Sequence, residues 1–190
     1  MSHADILTKS VLEHIPEGNF TVFDVACGFG DWGYLIKTRK DGNYHLTGVD
    51  VWKPYLENLR HLKIYNELIE ADIRYYEPPK KYDIIIACEV LEHLKKEEGF
   101  QLLNKLESAC DRRIIISTPH GFTHQGPLEN NNFQRHVSEW FPIDFKNRRY
   151  KIKLIRQPLG VIRLFKRTIR RIFGKPYVEF IIAHKDINHT

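Results

Sequence analysis

A chain of 190 residues with 42% hydrophobic and 28% charged residues is long enough for one substantial core, and its ordinary globular make-up excludes collagen-like, wholly disordered and disulfide-scaffold classes. Its formal charge of +5 conceals a division: residues 145–178 hold twelve Lys and Arg and no Asp or Glu, leaving 17 basic against 24 acidic residues elsewhere, a balance of −7. The longest purely apolar run is Ile84 to Cys88, the first nineteen residues are charged where a signal peptide is apolar, and the three cysteines lack metal-finger spacing; a reduced, cytoplasmic protein without a transmembrane segment is expected.

In chain order, a helix is expected from Ala4 to Ile15. Short runs rich in Val, Ile and Phe follow at Phe20–Val25, Tyr44–Val49, Tyr82–Cys88 and Arg113–Ser117, with a further short strand at Leu68–Ala71. Helical stretches at Asp31–Lys40, Pro54–Tyr65 and Val90–Ala109 separate them. That alternation predicts a parallel sheet with helices on both faces. Beyond Pro119 a polar loop runs through Asn132, followed by a helix at Ser138–Asn147 and strands at Tyr150–Arg156 and Tyr177–His184. No repeat or linker divides the chain.

Where the first strand gives way to a helix, Gly28, Gly30 and Gly33 spell G-x-G-x-x-G, and Asp50 closes the second strand at the spacing of a ribose-binding acid. Asp24, four residues before Gly28, separates the candidate ligands. A carboxylate there opposes a dinucleotide pyrophosphate and favours a ligand carrying an ammonium and a sulfonium, such as S-adenosylmethionine. The segment from Val22 to Gly33 resembles the first motif of class I S-adenosylmethionine-dependent methyltransferases, and the resemblance continues through Gly48-Val49-Asp50, Glu70-Ala71-Asp72-Ile73 and Tyr82 to Cys88. The resemblance implies that Asp24 and the loop Ala26, Cys27, Gly28 and Gly30 hold the methionine part. It places Asp50 and Val51 at the ribose, Asp72 and Ile73 at the adenine, and Cys88 beside the cofactor. The family usually has Gly where Ala26 stands.

After the fourth strand comes Glu89-Val90-Leu91-Glu92-His93, whose offsets of three and four put two carboxylates and an imidazole on one face of a helix or its first turn. Together with His136, four residues before Trp140, this pattern resembles the ubiquinone-pathway O-methyltransferase branch and the branch that methylates the terminal 2′-hydroxyl of small RNAs. In those branches two Glu and two His hold a divalent cation. Carried over, Glu89, Glu92, His93 and His136 are candidate ligands for magnesium or manganese, and equally candidate catalytic groups. Without a cation, His93, His120 or His136 can serve as general base.

From Val161 to Phe173 apolar residues fall on one helical stripe and Arg163, Lys166, Arg167, Arg170 and Arg171 on the other, which predicts a basic amphipathic helix. A solvated cover for the sheet, a contact with anionic lipid, and a contact with RNA are its three readings. The expected fold is a Rossmann-like three-layer α/β/α sandwich with a seven-stranded, mostly parallel sheet whose last strand is antiparallel. One methyltransferase domain is expected over residues 1–190: an N-terminal helix in 1–19, a cofactor-binding core in 20–118, and substrate loop, basic helix and final strands in 119–190. The expected activity is methyl transfer from S-adenosylmethionine to a small-molecule hydroxyl, leaving S-adenosylhomocysteine. Its alternatives are 2′-O-methylation of an RNA end and a non-catalytic cofactor-binding module.

Overall fold

The computed structural model describes residues 4–128, 130–158 and 177–187. In chain order it contains α1 (Ala4–Leu12), β1 (Gly18–Val25), α2 (Asp31–Arg39), β2 (Gly42–Asp50), α3 (Lys53–Leu62), β3 (Glu67–Glu70) and β4 (Tyr82–Cys88). Then come α4 (Lys96–Ala109), β5 (Cys110–Pro119), α5 (Pro142–Lys146), β6 (Lys151–Pro158) and β7 (Tyr177–Asp186), with single 3-10 turns at Leu91–His93 and Asn132–Gln134. The seven strands form one sheet in the order β3-β2-β1-β4-β5-β7-β6. Strands β1 to β5 pair in parallel and β7 runs antiparallel to both of its neighbours, so the expected Rossmann-like α/β/α sheet is present.

Strand alternation divides the core in two. Phe23, Val25, Ile85, Ala87, Ile114 and Ile116 point to one face, where Leu102, Leu103 and Leu106 of α4 and the fully buried Trp140 cover them. Val22, Ile84, Ile86, Ile115 and Ile182 point to the other, against Ile36, Leu56, Leu59 and Val11. Continuous apolar runs such as Ile84-Ile85-Ile86 follow from this, because a central parallel strand is covered on both faces.

Two expected elements differ. The helix read from Val90 starts only at Lys96, because Glu89 takes a left-handed φ of 55°, Leu91–His93 form a single tight turn, and Leu94 is extended. Glu89, Glu92 and His93 therefore sit on a turn before the helix and not on a helical face. The helix read from Ser138 shrinks to Pro142–Lys146, since Ser138 and Trp140 are held by tertiary contacts and Pro142 fits only the first turn. The basic helix expected at Val161–Phe173 lies outside the described residues. All three cysteines are buried and free, and no helix among the described residues is long and apolar enough to cross a membrane.

Candidate active site

Chain order reverses between β1 and β4, where successive crossovers leave toward opposite edges of the sheet; in such sheets the crevice at the carboxyl ends of the strands is the ligand position. A cavity of about 340 Å³ opens there. Ala26 follows β1, Asp50 ends β2 and Val51 follows it, Asp72 and Ile73 follow β3, Glu89 and His93 follow β4, and all of them line it. The segment from Asn131 to Arg135 closes another side, with the buried Asn131 side chain accepting the Phe133 amide at 3.0 Å. Asp24, Cys27, Gly28, Gly30, Cys88, Glu92 and His136 do not line the cavity.

The loop after β1 is strained where it meets the cavity. Ala26 has φ 56° and Glu89, the residue at the same place after β4, has φ 55°. Each costs roughly 1–2 kcal/mol for a residue with a Cβ. Gly28 is also left-handed, and a Cβ on it would meet only the Ala26 carbonyl at 3.9 Å. Its backbone amide donates to Asp50 Oδ2 at 2.9 Å, while the Trp52 amide donates to Oδ1 at 2.7 Å. Asp50 is thus fixed by two backbone donors, and each oxygen keeps a lone pair for a further donor. Burial raises its pKa, and the backbone donors oppose that rise.

Asp24 is 1% exposed. Burial pushes its pKa up to about 7, against the hydrogen bond from the Tyr65 hydroxyl and with the like charges of Asp50 and Asp31. Asp72 behaves oppositely. Burial would raise it, but Arg74 forks onto both carboxylate oxygens at 2.6–3.0 Å and holds the acid below its ordinary range. Arg74 also lines the cavity, and the sequence reading did not single it out. Its only signal is its place two residues after Asp72, where the aspartate also accepts the Arg74 amide in a local turn.

Beside the strained Glu89 a polar cluster is assembled from three segments. Ser117 Oγ donates to Glu89 Oε1 at 2.7 Å, and Thr118 Oγ1 donates to Glu92 Oε2 at 2.9 Å. Burial raises both carboxyls, Glu89 to about 7 and Glu92 well above its ordinary value, with the neighbouring Glu89 charge adding to the rise of Glu92. Glu92 Oε1 is buried without a hydrogen-bond partner. His93 and His136 meet edge to face with centroids 4.8 Å apart. Their Nδ1 atoms face the Arg135 carbonyl at 3.2 Å and the Thr123 carbonyl at 2.6 Å. A carbonyl only accepts, so each ring carries its proton on Nδ1 and presents Nε2 as a lone pair. Burial lowers both imidazoles, His93 to about 4, which keeps them neutral.

One ligand atom each from Glu92, His93 and His136 falls within a set spanning 4.8 Å, a grouping suited to a cation; Glu89 is not in that set and is turned to Ser117. His136 is brought there because the Val137 and Ser138 amides both donate to the Glu92 carbonyl and Trp140 anchors the segment below. His120 is held apart, with its Nδ1 on Glu179 Oε2 at 2.5 Å and Arg156 on the other carboxylate oxygen.

A family model described as "Methyltransferase domain" matches residues 22–112. A ubiquinone biosynthesis O-methyltransferase of Rickettsia typhi is 23% identical over 141 residues, 72% of this chain and 56% of its own. A probable (S)-tetrahydroprotoberberine N-methyltransferase of Papaver bracteatum is 31% identical over 105 residues, 53% of this chain and 28% of its own. The chain thus spans about half or less of the curated relatives it matches. Among solved structures, the magnesium protoporphyrin IX methyltransferase of Synechocystis PCC 6803 with bound S-adenosylmethionine superposes with a TM-score of 0.61 at 17% identity, covering 96% of this chain and 77% of that one.

Proposed function

Because the domain over residues 22–112 belongs to the class I S-adenosylmethionine-dependent methyltransferase family, we propose that this protein moves the methyl group of S-adenosylmethionine onto a small-molecule hydroxyl and releases S-adenosylhomocysteine. Asp50, fixed by the Gly28 and Trp52 amides, has the free lone pairs to accept two ribose hydroxyls. Asp72 and Ile73 border the adenine position, and Asp24 with the loop Ala26 to Gly30 takes the methionine part. When bound, the donor supplies a sulfonium-activated methyl group.

The observation that carries the choice of a hydroxyl is the buried acid–imidazole cluster. A hydroxyl must lose its proton as the carbon–oxygen bond forms and the sulfur takes the electron pair of the breaking bond, whereas a neutral amine attacks as it stands. His93 and His136, neutral and with Nε2 free, and Glu89 are proton acceptors at the carboxyl end of β4. The same groups fit a divalent cation: Glu92 has a buried orphan oxygen, and a backbone carbonyl on each Nδ1 turns each imidazole so that Nε2 can bind a metal. Glu92, His93 and His136, with Glu89 beside them, would hold magnesium or manganese, whose charge would make the acceptor hydroxyl more acidic.

A small molecule is preferred to RNA because four of the six described cations of the basic stretch are engaged in ion pairs. Arg148 pairs with Glu107, Lys151 with Asp186, Lys153 with Glu13 and Arg156 with Glu179. The test is release of S-adenosylhomocysteine with catechols, phenols, secondary amines and a short RNA as acceptors, with and without a chelator. Turnover on hydroxyl acceptors is expected, and Glu92→Gln and His136→Ala should each lower kcat about 100-fold with donor affinity retained. Turnover confined to amines and indifferent to both substitutions would overturn the hydroxyl assignment. Turnover of RNA that falls steeply with salt would favour the nucleic-acid acceptor.

A further inference from the structure

The glycines that read as a ligand loop are also a mould for one tyrosine. Tyr65 lies just beyond α3, and its ring passes under the loop after β1 to reach β1 itself. A Cβ on Gly33 would stand 2.6 Å from Tyr65 Cζ and 2.7 Å from its hydroxyl oxygen; on Gly48, 3.0 Å from the ring edge; on Gly30, 3.2 Å from Cε2. Gly33 and Gly48 leave space that this ring fills, and Gly30, where a Cβ would first meet Leu59 Cδ2 at 2.4 Å, borders it. The hydroxyl at its tip donates to Asp24 Oδ2 at 2.5 Å. The ring, packed against Gly33, therefore carries one donor to one oxygen of Asp24.

The other oxygen has nothing. Asp24 Oδ1 is buried without a hydrogen-bond partner, in a side chain 1% exposed, and a buried carboxylate oxygen without a donor is costly. The groups facing Asp24 are Asp50 from β2, Asp31 from α2, Cys27 from the loop, Cys88 from β4 and Tyr65 itself, so the charges around it share its own sign. An acid whose ionised form is disfavoured by burial and by neighbouring acids gains most from a cationic partner, which stabilises that form.

We infer that Tyr65 is a positioning residue for the methyl donor: its hydroxyl pins one oxygen of Asp24 and so reserves the other for the donor's α-ammonium group. This rests on the donor assignment above, and the two are separable. Paired calorimetric titrations use S-adenosylhomocysteine, which carries the ammonium, and 5′-methylthioadenosine, which shares the nucleoside and sulfur but lacks it. Wild-type protein is expected to bind the first more tightly. Tyr65→Phe keeps the ring in its mould and removes only the hydroxyl. It should weaken S-adenosylhomocysteine about tenfold, the loss of a hydrogen bond to a charged group, with methylthioadenosine within about twofold.

The pH profile gives a second readout. Tyr65 donates to the ionised form of Asp24, so its removal should move the acid-side loss of S-adenosylhomocysteine affinity to higher pH. In an Asp24→Asn background Tyr65→Phe should have no further selective effect. Gly33→Ala, which crowds the same hydroxyl from the α2 side, should repeat the selective loss should Tyr65→Phe prove poorly folded. Equal weakening of both ligands, or an unmoved pH profile, assigns Tyr65 to packing and overturns the inference. Wild-type protein that binds neither ligand overturns the donor assignment and the inference with it.

Discussion

Gly99→Ala tests how the candidate site is held. Gly99 lies in α4 directly under the indole of Trp140, and a Cβ there would stand 2.4 Å from Cζ2 and 2.9 Å from Cη2. Ordinary contact begins near 3.4 Å, so the two elements must part by about 1.0 Å. The indole has little room to yield. It is 0% exposed, flanked by Phe100 and Phe145, covered by the Lys96 ammonium 3.9 Å from the ring centroid, and tied through Nε1 to Ser138 Oγ at 3.0 Å. Ser138 in turn bonds the Leu91 carbonyl, and its amide donates to the Glu92 carbonyl. Displacement of Trp140 therefore moves the segment that carries His136 relative to Glu92. Overpacking of this kind costs about 1–3 kcal/mol, against about 1 kcal/mol gained when Ala replaces Gly inside a helix. The net loss is about 1 kcal/mol, or roughly 2–4 °C in Tm for a chain of this size. Catalysis should suffer more, since a shift of about 1 Å in a reacting constellation can cost on the order of 100-fold, while S-adenosylhomocysteine affinity stays close to wild type because Asp50 and Gly28 are not coupled to Trp140. Adding Trp140→Phe to Gly99→Ala removes the clashing ring, so the two stability losses should fail to add in thermal unfolding. A Gly99→Ala protein that melts higher than wild type and turns over at full rate would show that the helix gain wins and that Trp140 does not position His136.

Other substitutions probe separate parts of the structure. Ala26→Gly removes a left-handed Cβ at φ 56° and should raise the urea midpoint slightly, by up to about 1 kcal/mol after the entropy cost of glycine, with donor affinity unchanged; a loss of stability would mean the methyl packs favourably. Asp50→Asn leaves the Gly28 and Trp52 amides facing a side chain with only one accepting oxygen, and calorimetry should show S-adenosylhomocysteine weakened about tenfold or more, with no change refuting the ribose role. His14 and His184 stack at 3.9 Å on the β7 side of the sheet with His14 Nε2 and His184 Nδ1 buried without a hydrogen-bond partner, among Glu13, Asp186, Arg113, Lys151 and Lys153. Burial lowers both, His184 to about 4, so the folded state resists protonation more than the unfolded chain does, and stability should fall as pH drops from about 6.5 toward 4. His184→Phe keeps the stack and should recover about 1–2 kcal/mol of that acid-side loss in urea unfolding at pH 5, whereas identical wild-type and variant profiles would clear the pair of this role.

What the chain discloses by itself depends on the range of the interaction. The sheet was legible because a buried parallel strand leaves a contiguous signature: Tyr82–Cys88 ends at the residues its apolar run marks, and the other strands differ from their runs only at the ends. The glycine loop was legible as a strand-to-helix turn, and Asp50 by its spacing. The helix through Glu92 was misplaced for a physical reason, since one left-handed residue, Glu89, halts it, and a non-glycine in that conformation leaves no mark in composition. His136 was singled out by its distance from Trp140, yet what brings it to Glu92 is a pair of backbone amides, which every residue possesses. Tyr65 is the hardest to see. In sequence it ends the helical stretch read from Pro54, and 41 positions separate it from Asp24. Gly33 belongs to the glycine fingerprint and Gly48 to the second-strand motif, yet the space at both is filled by protein, whereas a Cβ on Gly28 would meet only the Ala26 carbonyl. A glycine records that something comes close without recording what, so a fingerprint of this kind constrains the turn more tightly than it constrains the ligand; here the discriminating chemistry sits one layer down, in an aspartate with one oxygen tied to a tyrosine and the other left for a cation.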